Sequence, residues 1–280
     1  MSEFRAVTAA LCAVATLALL SGCSNAEFDT SGVLSRWEFR CLAVSESMRT
    51  IGPSRIDRKK VQLARIDRLL KRDDLEKLDA AKLHSERAVL VQELEDAQFL
   101  YDCSETYYAP GSTTLRPTFG SGPRPYDADA VGRVFEEAVQ QTTDRHRPHG
   151  FNERAALHTA EAAIVRGEFA AATEAAREQL ESKPSGLYAD TLELVAADAE
   201  LASGDVDAAL VLYEAVGKLP IGVEAHYARY RKSIILRRRG DGEGAEAALA
   251  TVKRWADRGD REALGRWLRN EEPRPPLPTP

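Results

Sequence analysis

No uninterrupted apolar run in this sequence reaches the roughly 18–20 residues that a membrane-spanning helix needs. The longest, Ala6 to Leu20, stops at 15. Aromatic residues amount to only 7%, and no alternating stretch rich in valine, isoleucine or threonine is present, which argues against a sheet-based fold. A net charge of -6 supplies no basic field of the kind that holds nucleic acid. Also missing are H-E-x-x-H, G-x-S-x-G, a P-loop and a glycine-rich dinucleotide turn. Neither of the cysteines in the body of the chain belongs to a C-x-x-C pair, which speaks against a redox role. Acidic pairs are so abundant that none is singled out as a glycosidase dyad. These absences leave a chain with no visible active site, no cofactor expected and no nucleic-acid partner expected.

The first 23 residues combine Arg5, the apolar run and the sequence Leu20-Ser21-Gly22-Cys23, with the expected signal peptide at 1–22. The run is short enough for the core of a signal peptide. Its end resembles the lipobox of bacterial lipoproteins, in which the thiol of the cysteine is acylated and the signal is cut just before it. That resemblance implies a lipid on Cys23 and a membrane as partner. Two or three acyl chains, at about 0.8 kcal/mol per buried methylene, anchor durably where one would not. Ser24, in place of an aspartate, points by the same resemblance to the outer membrane, facing the periplasm. Residues 23–31 then form a lipidated tether.

Alanine, leucine, arginine and glutamate dominate the rest, with both charge signs interspersed as on solvated helices, so the body reads as all-α. Cys41 and Cys103 remain for an oxidising compartment, where they form a disulfide or else two separate buried thiols. In the N-terminal helical region, residues 32–108, Val33, Leu34, Trp37, Cys41 and Leu42 recur at steps of three and four, as one helix face requires. The sequence IGPS at 51–54 predicts a break, since Pro53 disfavours the α region at Gly52. From Ile56 to about Tyr101 the pattern is highly charged, as in a helical hairpin or coiled coil. A single straight helix there would leave Cys103 roughly 55–60 Å from Cys41 at 1.5 Å per residue. A disulfide therefore demands a second break, and KRDDLE at 71–76 can supply it with Asp73 or Asp74 as N-cap. Three helices are predicted. Residues 109–128, with four prolines and three glycines, form a linker, and the Pro-rich residues 272–280 a disordered tail.

Residues 129–271 carry a repeat. RGEFAAATEAA from 166, SGDVDAALVLY from 203 and RGDGEGAEAAL from 239 align without gaps. Their glycines, Gly167, Gly204 and Gly240, lie 37 and 36 residues apart, each followed by an acidic residue and, five positions on, by Ala172, Ala209 or Ala245. Glycine ends one helix in a left-handed conformation, the acid starts the next, and alanine lets the two cross closely. Gly242 and Gly244 weaken the third such start. This resembles the turn and second helix of the tetratricopeptide repeat (TPR), although the large residue usual early in the first helix is replaced by Ala156, Glu193 and Arg229. The resemblance implies a TPR-like α-solenoid following the N-terminal hairpin, with helices near 130–142 and 260–270 as caps.

The expected function is that of a non-enzymatic scaffold, lipid-anchored in the cell envelope and docking other envelope proteins, with homo-oligomers conceivable through the N-terminal coil. Its groove is expected to expose Tyr227, Tyr230 and Arg231. The competing expectation is an envelope enzyme or cell-wall binding module acting through His146 and His149 of RHRPHG. Two histidines without a third ligand do not make a metal site, and none is predicted.

Overall fold

Ser35 opens the first helix with a reciprocal cap: its hydroxyl accepts from the Glu38 amide at 3.3 Å, and the Glu38 carboxylate accepts from the Ser35 amide at 2.5 Å. The computed structural model describes residues 34–107, 124–182, 184, 186–220, 222–258 and 261–269. The expected signal peptide, Cys23, the tether, most of the linker and the Pro-rich tail lie outside the described residues. Ten α-helices run through what is described: α1 (Arg36–Leu69), α2 (Lys77–Tyr107), α3 (Ala128–Gln141), α4 (Phe151–Val165), α5 (Phe169–Glu181), α6 (Gly186–Ser203), α7 (Val206–Gly217), α8 (Val223–Arg238), α9 (Gly242–Ala256) and α10 (Glu262–Leu268). A 3-10 turn, Asp144–His146, precedes α4. No strand occurs among the described residues, and the protein is all-α.

The first break predicted from the sequence is absent. α1 continues through Pro53, although an interior proline lacks an N–H and costs a helix about 3 kcal/mol. Tertiary packing offsets that cost. Cys41, Leu42 and Met48 before the proline, and Ile56 and Ile66 after it, are all buried. Gly52 is a contact point, not a breaker: a Cβ there would sit 2.8 Å from the Tyr101 ring. The second break falls where the sequence put it, at 70–76, so two helices replace the predicted three. Asp74 pairs with Arg72 at 2.6 Å instead of capping, and α2 starts beyond both aspartates at Lys77. Asp67 meets Arg87, Lys59 meets Glu93 and Gly52 meets Tyr101. One index rises as the other falls, so α1 and α2 lie side by side in opposite directions. Cys41 is 28 residues from the end of α1 and Cys103 26 from the start of α2. These matched arms bring the Cα atoms to 5.7 Å, and the two cysteines form a disulfide.

From α3 to α9 each helix packs on the next, and α4, α6 and α8 also touch one another in order. Gly167, Gly204 and Gly240 have φ of 77°, 93° and 83°. In all three turns the following amide reaches back five residues to a carbonyl: Glu168 to Ala163 at 2.8 Å, Asp205 to Glu200 at 2.9 Å and Asp241 to Leu236 at 3.0 Å. This is the bonding of a Schellman turn, which left-handed glycine permits. Asp205 and Asp241 then cap α7 and α9 with their carboxylates, while Glu168 makes no such bond. The Asp241 cap carries α9 through Gly242 and Gly244, which the sequence reading took as a weak start. Ala172, Ala209 and Ala245 are fully buried at the crossings. α3 and α10 lie at the ends, the latter with Leu264 and Leu268 buried and Trp267 edge-on to Tyr230.

The sequence divides the chain at 109–128, yet a single core contains residues from both sides of that division. Phe39 of α1 contacts the rings of Tyr227, Tyr230 and Trp255, and Leu34, Phe39, Tyr227, Tyr230 and Leu264 belong to one buried cluster. A smaller, alanine-rich cluster joins α4, α5 and α6.

Candidate functional site

The first turn of α1 enters the space between α2, α4, α6 and α8, and the side chains it brings there define the site. Trp37 stacks on Tyr126 with ring centroids 3.6 Å apart, and Phe99 of α2 stands edge-on to both. Tyr126 is held in turn by a hydrogen bond from its hydroxyl to Asp96 at 3.0 Å. Burial, then the Asp96 charge, push the Tyr126 hydroxyl well above its ordinary pKa; burial also raises that of Asp96. Arg124 clamps this corner with both oxygens of Glu95 at 2.8 Å and with Asp102 at 2.8 Å. The end of the expected linker is therefore tied to α2.

Arg36 is buried and forms an ion pair with Glu161 of α4. Burial, followed by the neighbouring Arg40, lowers the pKa of Arg36. Glu161 also lies 2.9 Å from Nδ1 of His158. Exclusion from water, then Arg36, Arg154 and Arg40, hold His158 down to about 3. The imidazole is neutral at physiological pH, and with its proton on Nδ1 it donates to Glu161.

Asp198 of α6 is the second charged centre. It accepts from Tyr213, from Tyr227 at 2.9 and 3.1 Å, and lies 3.6 Å from Arg231. Arg231 sits 5.8 Å from each of those two rings. The backbone before α1 joins this network: the Leu34 amide donates to Tyr230 at 3.0 Å and its carbonyl accepts from Arg231 at 3.4 Å. Tyr227, Tyr230 and Arg231, expected to line an open groove, are thus buried beneath the start of α1. Sequence periodicity cannot register that correction, because the covering residues lie almost 200 positions away.

Between the two charged centres lies a cavity of about 400 Å³, lined by Arg36, Trp37, Tyr126, Glu161, Asp198 and Arg231 among others. That volume falls within the range of small-molecule sites. The charges face each other in pairs and the remaining walls are aromatic or aliphatic, an arrangement suited to holding α1 and to recognition. His146 and His149 do not line it. His146 bonds to Thr143 at 2.9 Å and His149 is exposed. The organiser of their loop is Arg147, which donates to Thr142, Asp144, Asn152 and the Val139 carbonyl, between 2.6 and 3.0 Å. Among the described residues no group of three or more His, Cys, Asp or Glu is placed to hold a metal.

Sequence reasoning missed Arg36, His158, Glu161 and Asp198. A signal was present: His158 and Glu161 stand three apart within AALHTAEAAIV, and Asp198 within LVAADAEL, isolated polar residues in otherwise apolar helical runs. Comparison with known proteins finds no protein family, no curated protein and no solved structure that matches this chain.

Proposed function

We propose that this chain is a lipid-anchored scaffold of the cell envelope, attached through Cys23, whose TPR-like helical repeats dock other envelope proteins without catalysing a reaction. The observation that carries the repeat reading is the turn built three times over: a left-handed glycine, the five-residue back-bond and a fully buried alanine, at a period of 36–37 residues. A repeated unit that packs on its sequence neighbours, with alternate helices in contact, is the organisation that lets a solenoid present long continuous surfaces. Under this reading α1 and α2 form an N-terminal hairpin whose open end, at the start of α1, packs on α8 and α10. With Tyr227, Tyr230 and Arg231 covered, docking falls to the outer faces of the helices.

Attachment and docking are tested separately. Cys23→Ala is expected to move the protein from the membrane fraction to the soluble fraction of envelope extracts, and retention in the membrane would refute the anchor. Crosslinking in intact cells, read by mass spectrometry, is expected to recover a defined envelope protein on the helical region. Recovery of none from a fully reactive sample would refute the docking role.

A further inference from the structure

The outward face of α1 concentrates positive charge in an otherwise acidic molecule. Residues 53–72 hold eight lysines and arginines against two aspartates, a local +6, whereas the whole chain is -6 and the remainder therefore -12. Five side chains of α1, Arg55, Arg58, Val61, Arg65 and Arg68, follow one another at steps of three, three, four and three. They occupy one stripe of the helix, and all are exposed. The stripe lies opposite the side that meets α2, where Gly52, Ile56, Lys59 and Ile66 are packed or paired. It extends about 20 Å at 1.5 Å per residue.

Most of these cations are uncommitted. Arg55, Arg58, Lys60 and Arg65 make no ion pair among the described residues, in a protein where Arg87, Arg124, Arg166 and Arg239 each have carboxylates at 2.6–3.0 Å. Of the eight cations in 53–72, Lys59 is neutralised by Glu93 and Arg72, beyond the end of α1, by Asp74, while Asp57 is an exposed acid beside the stripe. Val61, 69% exposed, sits in the middle of the arginines.

We infer that this face binds the surface of a bilayer containing anionic phospholipid. Guanidinium forks match phosphate oxygens in a bidentate manner. The face is a convex ridge on a single helix, so it offers no groove for a partner segment, but a plane of headgroups can meet it along its whole length. Val61 then enters the headgroup layer, as the apolar residue of an interfacial helix does. The charge of -12 on the remainder is repelled by the same surface, which fixes orientation: α1 lies down and the repeats stand away. This contact is independent of the acyl anchor proposed at Cys23.

The test uses full-length protein titrated with vesicles of pure phosphatidylcholine and with vesicles containing phosphatidylglycerol, reported as the ratio of the two partition coefficients. An anchor or apolar segment raises both coefficients and cancels in that ratio. The wild-type ratio is expected to exceed about 100 in dilute buffer, at roughly fivefold per arginine near the surface, and to collapse towards 1 in about 0.5 M salt as the Debye length shrinks. Arg55→Gln, Arg58→Gln, Arg65→Gln and Arg68→Gln together are expected to bring the ratio close to 1, with helix content preserved in circular dichroism. Removing four charges elsewhere, at the ion-paired Arg133, Arg177, Arg237 and Arg239, is expected to leave it unchanged. A wild-type ratio near 1, or an equal fall in both variants, overturns the inference. Binding of a soluble polyanion such as DNA with no vesicle preference overturns it as well.

Discussion

His158 is a buried polar residue whose protonation state is fixed by its neighbours. In the unfolded chain its imidazole titrates near 6.5, whereas in the fold burial and three nearby guanidiniums hold it down to about 3. Between those values the unfolded state carries the extra proton, so its contribution to stability is complete above about pH 6.5 and is lost as the pH falls towards 3. The slope from this one group is up to about 1.4 kcal/mol per pH unit. Urea denaturation between pH 7 and 4.5 is expected to show that decline, and His158→Gln, which can keep the bond to Glu161, is expected to make it shallower by about that amount. An unchanged slope would refute the neutral buried ring. None of this follows from sequence: a histidine on an apolar stretch signals burial, but the arginines that face it come from α1 and from the start of α4.

At the scale of elements, α1 and α2 show how a local rule yields to packing. Gly52 and Pro53 together read as a helix break, yet Tyr101 fills the space left by the glycine and apolar residues on either side of the proline are buried, so the helix persists. The break at 70–76 was legible on the condition of a disulfide, because a rigid rise per residue would otherwise hold the two cysteines far apart. The Cys41–Cys103 bond closes a separation of 62 residues at the end of the pair where α1 meets α8. Replacing both cysteines by serine is expected to lower stability by about 2–4 kcal/mol, measured as a shift in the urea midpoint, with the wild type plus reductant matching the variant. The arginine stripe of α1 was equally present in the sequence, but a charged helical pattern does not say which charges are paired. Only the placement of α2 shows that Arg55, Arg58 and Arg65 face outward without carboxylates.

For the whole molecule, the decisive contact is the one between the start of α1 and the helices α6, α8, α9 and α10. Phe39 is fully buried among Tyr227, Tyr230 and Trp255, so the two halves expected from the sequence share one core. Tryptophan fluorescence and far-ultraviolet circular dichroism are expected to report one coincident unfolding transition. Phe39→Ala is expected to shift that transition as a whole, by about 3–5 kcal/mol. Two separated transitions, or a shift confined to one signal, would show that the halves fold apart.

Sequence alone determined the helical class and the three repeat turns and, once Cys41 and Cys103 are paired, the second break in the N-terminal region. Each of these is local: glycine in a left-handed position, an acid at a helix start, small residues at a crossing and a spacing set by helical rise. The tertiary structure decided what covers Tyr227, Tyr230 and Arg231, how Arg36 and Glu161 share a buried site, why Pro53 does not end α1 and which arginines stay free. Those outcomes depend on side chains far apart in the chain meeting in a dry interior, where burial and pairing outweigh the preferences of short segments.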